Sequence, residues 1–303
     1  MVPQVIVIIL NWNGKDDTIE CLESLRQITY ANHEILLVDN GSTDGSAAYF
    51  REKAPDLSIL ENGTNLGFAE GNNVGIRWAL SRGADYVLLL NNDTVVDKNF
   101  LQELVDVTEK DRRIGFVGPK IYHYDYNGRR DVISFAGAKF RIWRGQVHRF
   151  CANTVDEGQC DSEREVDSIE GSCLLVRTDV IKKVGLLNSD YYLYWEDTEW
   201  CIRGRNAGYK AVYVPGAKIW HKVGMRVSGK RDTAYYYGGR NRVLLVKQYA
   251  TSWQLLLFLF TFLTFDVWSV ILVSGLVRRK VSEPIAFIRG IKDALLNKPQ
   301  ARH

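Results

Sequence analysis

From Val5 onward the chain alternates short β-branched runs with stretches whose apolar residues recur at helical spacing. Val5 to Leu10, Glu34 to Val38, Ser58 to Leu60 and Tyr86 to Leu90 read as strands, with the near-continuous apolar character of a sheet covered on both faces. Asp16 to Gln27, Gly45 to Lys53, Phe68 to Ser81 and Lys98 to Glu109 read as helices. They are entered through turn or cap residues such as Asn13-Gly14, Ser42-Thr43-Asp44 and Asn65-Leu66-Gly67. This alternation predicts a nucleotide-binding type of α/β domain, in which ligands collect at the carboxyl ends of the strands. From Gly115 the pattern lapses: Tyr122 to Gly128 and Cys151 to Asp167 read as loops. Order resumes with a strand at Ser172 to Arg177, a helix at Thr198 to Asn206 and a strand at Ala211 to Val214.

The last fifty residues follow a different pattern. Leu255 to Val277 holds one charge, Asp266, in 23 residues, long enough for a bilayer core, which takes roughly 20. A simple span would place basic flanks on both sides of the membrane and Asp266 near its centre, both unfavourable. The adopted reading is two short helices, 252 to 265 and 267 to 277, lying in or re-entering the interface of one anionic leaflet; a true span, a buried hairpin and an oligomer contact are the alternatives. Glu283 to Asn297 then sets Ile285, Ile288, Ile291 and Leu295 at helical spacing with Arg289 and Lys292 between them, as in an amphipathic basic helix.

Composition narrows the class. At 303 residues, 46% hydrophobic and 25% charged, the chain is neither disordered nor a disulfide scaffold. Its net charge of +3 conceals an uneven distribution: residues 1 to 202 carry −11, 203 to 247 carry +10, and 278 to 303 carry +5. The two regions should therefore meet different partners. Five cysteines without a C-x-x-C pair read as reduced, mostly buried thiols. Met1 to Leu10 leads straight into the first strand without a basic n-region or a cleavage site, so no signal peptide is expected.

The candidate chemistry lies where the strands end. Leu10 is followed by Asn11-Trp12-Asn13, Val38 by Asp39-Asn40-Gly41-Ser42, and Leu90 by Asn91-Asn92-Asp93. A polar residue there is ordered by the sheet yet reachable by a ligand; capping of the next helix is the simpler alternative. Asn65 to Gly75 is glycine-rich and enters a helix, as a phosphate-cradling loop does. The chain nevertheless has no G-x-G-x-x-G after a strand and no G-x-x-x-x-G-K-[ST], which argues against a nicotinamide enzyme and a P-loop kinase.

Ile9 to Gly14, Val38 to Ser46, Asn65 to Gly75 and Leu90 to Asp93, in that order, resemble glycosyltransferase family 2, in particular its rhamnosyltransferase-like branch, over roughly residues 3 to 250. The resemblance implies a GT-A fold, a mixed sheet flanked by helices, inverting transfer from a nucleotide-diphosphate sugar, and a divalent metal. By this resemblance Asp39 reads the nucleotide base with Asn11 and Asn13 beside it, and Asn65 and Asn72 belong to the donor-binding segment. Asp93 matches the last acid of the family's D-x-D motif, with Asn91 in place of the first and Asn92 between them; an asparagine can still accept a hydrogen bond, and one carboxylate plus phosphates is a normal magnesium arrangement. Asp167 and Glu170-Gly171-Ser172 match the segment lining the donor and acceptor junction. Asp197 in Tyr194-Trp195-Glu196-Asp197 matches the catalytic base, with Trp195 and Glu196 toward the acceptor. His221 matches a histidine that completes the metal site, and imidazole suits manganese better than magnesium.

One base suffices for an inverting transfer, because the leaving diphosphate is stabilised by cations and needs no proton. For Glu196 and Asp197 the simpler alternative is acids complementing a helix dipole. Lys222, Arg226, Lys230 and Arg231 could close over the diphosphate, and Arg240-Asn241-Arg242 begins a helix. No nucleic-acid motif accompanies this charge, so a membrane surface or a diphosphate-lipid is the expected partner. The expected organisation is a catalytic domain at 1–250 and a helical membrane-association region at 251–303, at the cytoplasmic face of the membrane. The acceptor expected is a glycan or a polyprenyl-diphosphate-linked saccharide. Two alternatives stay open: a sugar-nucleotide nucleotidyltransferase, which lacks its glycine-rich, lysine-bearing loop after the first strand, and a non-catalytic module that binds nucleotide sugar.

Overall fold

The computed structural model describes residues 2–222 and 231–298. Strands β1 (Val5–Asn11), β2 (His33–Asp39), β3 (Ser58–Glu61) and β4 (Tyr86–Asn91) are separated by helices α1 (Lys15–Leu25), α2 (Ser46–Lys53) and α3 (Gly67–Ser81). The four strands pair in parallel in the order β4-β1-β2-β3. β1, β4 and the carboxyl half of β2 are almost wholly buried, as expected for a sheet with helices on its faces, while the edge strand β3 is half-buried. β1, β2 and β4 each extend one residue beyond the sequence expectation, so Asn11, Asp39 and Asn91 are the last residues of their strands.

The second half is more ordered than its pattern suggests. After β5 (Thr94–Val96) and α4 (Phe100–Lys110), β6 (Ile114–His123) is a long, buried strand that includes Gly115, Tyr122 and His123. β7 (Val132–Phe135), the hairpin β8 (Ala138–Arg141) and β9 (Gln146–Arg149), β10 (Thr154–Val155) and β11 (Arg164–Val166) follow, so the expected loop at 151–167 contains short edge strands. β12 (Cys173–Arg177) inserts antiparallel between β4 and β6 and makes the sheet mixed. α5 (Thr178–Val184), α6 (Glu196–Asn206) and β13 (Lys210–His221) come next. β13 runs on to His221 instead of stopping at Val214, because the Pro215-Gly216 interruption is absorbed as an irregularity in its pairing with β6.

The cysteine expectation is corrected in part. Cys21, Cys173 and Cys201 are buried free thiols, but Cys151 and Cys160 form a disulfide. Cys151 and Asn153 have positive φ, 51° and 60°, so the chain doubles back and brings its two cysteines together; a nine-residue separation carries no motif that would announce this.

α7 (Arg231–Tyr249) contains Arg240-Asn241-Arg242 in its middle rather than at its start. The apolar segment is one continuous helical run, not two helices parted at Asp266: α8 (Ser252–Thr261), a π turn at Phe262–Asp266, α9 (Val267–Val270) and a π turn at Ile271–Val277. Thr251 and Gln254 form a capping box at its start. Asp266 does not break the helix because its carboxylate pairs with Arg242 and Arg144. α10 (Ser282–Leu295) packs closely on α7, where Gly290 leaves room for the Tyr236 carbonyl. Val243, Val246, Phe258, Phe262, Phe287 and Ile291 form a second core in this helical layer, apart from the one around the sheet.

Candidate active site

At the carboxyl edge of the sheet Asn11 and Asp39 stand opposite each other in register. The Asn11 amide donates to Asp39 Oδ1 and Ser46 Oγ, both at 2.9 Å, while its oxygen accepts from the Gly14 N–H and the Thr18 hydroxyl at 3.1 Å. Asp39 Oδ2 accepts the Ser42 N–H at 2.9 Å. Asn11 and Asp39 are thus buried and fixed from two sides, which orients the carboxylate at the end of β2. Asn13, at φ 54°, accepts from the Thr43 N–H at 2.7 Å and ties the two loops together.

Other expected donor residues serve the scaffold. Asn65 accepts from Asn40 and from the Gly67 N–H, each at 2.9 Å. Asn72 donates to the Phe68 carbonyl of its own helix at 2.9 Å. Asn92 turns toward Thr18 (2.9 Å) and Asn11 (3.2 Å), which carries it to the α1 side. Asn40, not singled out from the sequence, is buried and also accepts from Asn62 and the Leu66 N–H, so it organises the whole loop after β3.

Asp93 and His221 meet because β5 pairs with the end of β13, placing Thr94 opposite His221. His221 Nε2 lies 3.1 Å from Asp93 Oδ1 and 3.4 Å from the Asn91 amide. Burial alone would raise the Asp93 pKa, but the hydrogen bond and charge of His221, with Lys222 nearby, outweigh it and hold the carboxyl below its usual range. Burial likewise disfavours the imidazolium, yet Asp93 outweighs it and raises His221. Lys222 donates to Asp17 at 2.8 Å and pairs with Glu20. Arg231 lies 3.9 Å from Glu283, whereas Arg226 and Lys230 lie outside the described residues.

These neighbours fit a divalent cation in donor chemistry. A carboxylate and an imidazole within 3.1 Å of each other can share one ion, and the buried Nδ1 of His221 has no hydrogen-bond partner among the described residues. Among the described residues no group of three His, Cys, Asp or Glu side chains gathers. A metal would therefore take its remaining ligands from phosphate oxygens and water.

The acidic pair lies at the start of α6, two residues earlier than the sequence suggests. Tyr192, Tyr194 and Trp195 precede it with φ of 59°, 70° and 75°, a left-handed run that non-glycine residues hold only when their surroundings enforce it. Asn241 supplies that enforcement. Its buried amide donates to the carbonyls of Tyr191 (2.7 Å), Leu193 (2.9 Å) and Tyr194 (2.9 Å), and Arg240 donates to that of Asp190 at 2.8 Å. No sequence signal links residues fifty positions apart in this way.

Asp197 is half-buried. Its Oδ2 accepts the Gly171 N–H at 2.8 Å and its Oδ1 the Thr198 N–H at 2.5 Å. A Cβ on Gly171 would meet the Phe68 ring at 3.2 Å, so the absence of a side chain there lets the donor-loop helix approach the acid. Burial pushes the Asp197 pKa up, its backbone donors moderate the rise, and the Glu170 charge adds to it. Burial and the charge of Asp197 push Glu196 up further. Glu199 in the same turn is bound by Arg203 and Tyr249, which gives it the plain structural role.

Glu196 and Glu170 each keep one buried carboxylate oxygen without a partner among the described residues, and Arg149 reaches Glu170 at 3.4 Å. Together with Asp197, Trp195 and Arg242 they line a cleft of about 630 Å³ between the β8–β9 hairpin, the start of α6 and one face of α7. The Glu170 charge acts on both His221 and Asp197, so the Asp93–His221 pair and the acidic pair share a neighbour. Arg149 and Asn241 were not apparent from the sequence, since their roles depend on the hairpin and on α7.

The chain is similar in sequence and in fold to known proteins. Over 250 residues the chain is 29% identical to an N-acetylglucosaminyl-diphospho-decaprenol L-rhamnosyltransferase of Mycobacterium tuberculosis, covering 77% of this chain and 81% of that protein. It is 23% identical over 255 residues to the dTDP-rhamnosyl transferase RfbF of Shigella flexneri, covering 80% of each. A mannosyltransferase from Pyrobaculum calidifontis, solved with GDP-Man and Mn2+, superposes with a TM-score of 0.60 at 16% identity, over 98% of this chain and 88% of that one. That likeness is one of fold, and the fold is GT-A. The family model described as Glycosyl transferase family 2 matches residues 6–183, more than half of the chain and the part that carries Asn11, Asp39, Asp93 and Glu170. The protein belongs to glycosyl transferase family 2 and is a rhamnosyltransferase-like transferase.

Proposed function

We propose that the protein is an inverting glycosyltransferase that moves one sugar from a nucleotide-diphosphate donor to a hydroxyl of a polyprenyl-diphosphate-linked saccharide. dTDP-rhamnose is the first donor to try, since the two rhamnosyltransferase relatives point to it. In this reading residues 1–250 carry catalysis and 251–303 hold the enzyme at the cytoplasmic membrane face. The observation that carries it is Asp197, an acid of raised pKa fixed by the Gly171 N–H inside a cleft on whose walls stand carboxylate oxygens without a partner among the described residues.

Asp39, oriented by Asn11, accepts from the base of the donor nucleotide. Asp93 and His221 would hold a divalent metal, which would supply positive charge against the leaving diphosphate. Glu170 and Glu196 accept hydroxyl groups of the sugars. Asp197 removes the proton of the attacking hydroxyl, whose oxygen forms a bond to the anomeric carbon as the diphosphate leaves from the opposite face with its bonding electron pair. A base pKa above the ordinary carboxylate range strengthens proton abstraction near neutral pH.

Asp197→Asn should abolish transfer while donor binding survives. Binding is read as a rise in melting temperature with UDP, GDP, dTDP or CMP, each with manganese, magnesium or chelator. Loss of binding in Asp197→Asn would put this residue in the nucleotide site instead. A nucleotide shift without transfer or hydrolysis of any donor would favour the non-catalytic module.

A further inference from the structure

We infer that the run from Ser252 to Val277 and the outer face of α10 form one surface that docks in the plane of an anionic lipid leaflet, without crossing the bilayer. The inference rests on the membrane-bound reading above and specifies its geometry. By length and composition alone the run passes as a span, with 24 helical residues of high mean hydropathy from Ser252 to Gly275. Its contacts argue otherwise. Phe258 and Phe262 are fully buried against Val243 and Val246 of α7 and Phe287 and Ile291 of α10. Farther along, Asp266 pairs with Arg242 of α7, and the Ser274 hydroxyl lies 2.8 Å from that of Tyr235. As numbering rises from 258 to 274 along the run, its partners on α7 fall from Val246 to Tyr235, so the two helices lie antiparallel. Those sixteen residues measure roughly 24 Å at 1.5 Å each.

A helix supported along that length cannot enter the hydrocarbon alone. α7 would have to enter with it, carrying Arg231, Asp232, Arg240, Asn241, Arg242 and Lys247 to bilayer depth, where ionised groups are strongly disfavoured. α7 also forms a wall of the cleft through Ala234, Gly238 and Arg242. The supported face therefore stays with the protein, and the opposite face is free to meet lipid.

That opposite face has the chemistry of a leaflet boundary. Trp253, Leu256, Phe260 and Leu263 are all exposed, at i, i+3, i+7 and i+10, and Trp268 and Leu272 continue the surface. Ile285, Ile288 and Leu295 add the exposed apolar residues of α10. Between the two, Arg278, Arg279 and Lys280 are exposed, as are Arg289 and Lys292 on α10. Apolar area bordered by these exposed cations complements acidic headgroups over acyl chains. α7 carries both the run on one side and a wall of the cleft on the other, through Arg242, which sets the cleft next to the leaflet that would hold a lipid-linked acceptor.

The test uses the full chain bound to vesicles of phosphatidylcholine with about a third phosphatidylglycerol. Cysteines placed at Ser252 and Lys280 should both react with an impermeant maleimide added outside, because both ends of the run lie on one side. Protection of either one until the vesicles are permeabilised means a span and overturns the inference. Leu256→Glu with Phe260→Glu should reduce co-sedimentation with these vesicles at least tenfold and leave the nucleotide-induced thermal shift intact. Unchanged co-sedimentation, or equal binding to vesicles of phosphatidylcholine alone, also overturns it. If labelling and sedimentation behave as expected but no donor nucleotide binds the unmodified protein, the transferase reading fails and the docking surface stands.

Discussion

Replacing Asn241 by alanine tests how the catalytic loop is held. The asparagine amide has two protons and lies within 2.9 Å of three carbonyls, so it makes at most two full hydrogen bonds and shares the third. Each bond is worth about 1 kcal/mol net, and a buried carbonyl left without a partner costs about 1–3 kcal/mol. Backbone relaxation recovers part of this, and a net loss of about 2–4 kcal/mol is expected. For a chain of this size that lowers the melting temperature by roughly 3–6 °C. The freed carbonyls belong to the segment in which Tyr192, Tyr194 and Trp195 are left-handed, a conformation without intrinsic stability. Its relaxation displaces Asp197, and a misplacement of about 1 Å lowers kcat by about 100-fold. The assay is steady-state transfer with varied donor, alongside thermal unfolding. The expected result is a lower kcat with nearly unchanged donor KM, because Asn11 and Asp39 are built on a different part of the fold. A variant with native kcat and native melting temperature would refute the clamp. So would a selective rise in donor KM with kcat intact.

Glu170→Gln removes a negative neighbour of Asp197, so the acid limb of the pH–kcat profile, which should lie above the ordinary carboxylate range, moves to lower pH; an unmoved limb means that burial acts alone or that another base operates. The raised carboxyls of Asp197 and Glu196 bind protons more tightly folded than unfolded, so their contribution to stability is lost as pH rises from the unfolded toward the folded pKa, measurable as a falling urea midpoint that Glu196→Gln flattens. Reduction of the Cys151–Cys160 disulfide should lower the unfolding free energy by about 2–3 kcal/mol, as expected for a short closed loop, and identical urea curves with and without reductant contradict the pairing. Asp266→Asn leaves Arg242 buried without its carboxylate and should cost about 3 kcal/mol, whereas Arg242→Met with Asp266→Leu should recover most of that; simple additivity in the double variant would show that the pair is not coupled.

How much of this was readable in advance differs from residue to residue. β1, β2 and β4 were placed to within a residue at their carboxyl ends, and the residue missed was in each case the polar one. Asn11, Asp39 and Asn91 look like loop residues by side chain, yet their backbones still pair in the sheet. β6 is not legible in the sequence because Gly115, Gly118 and Pro119 break its apolar pattern, and for β13 only the part up to Val214 is, because Pro215-Gly216 interrupts the pattern before the strand ends at His221. Within the site, Asp93, Glu196 and Asp197 are legible in the sequence as acids at element ends, whereas the bonds of Asn72 to the Phe68 carbonyl and of Asn92 to the Thr18 hydroxyl are visible only once α3 and α1 are in place.

The sequence by itself determined what depends on neighbours within a turn or a strand: the alternation of buried strands and helices, the polar residues at the strand ends, and the apolar run with its basic borders. Periodicity and local propensity act over that range, and they leave a trace in the order of residues. The folded arrangement alone reveals that Asn241 grips the turn before Glu196, that Cys151 bonds Cys160, and that Asp266 rests on Arg242 along α7. These contacts are set by sheet register and by loops closing between distant segments. Their energy comes from satisfying buried polar groups, a requirement that exists only once the chain has brought them together.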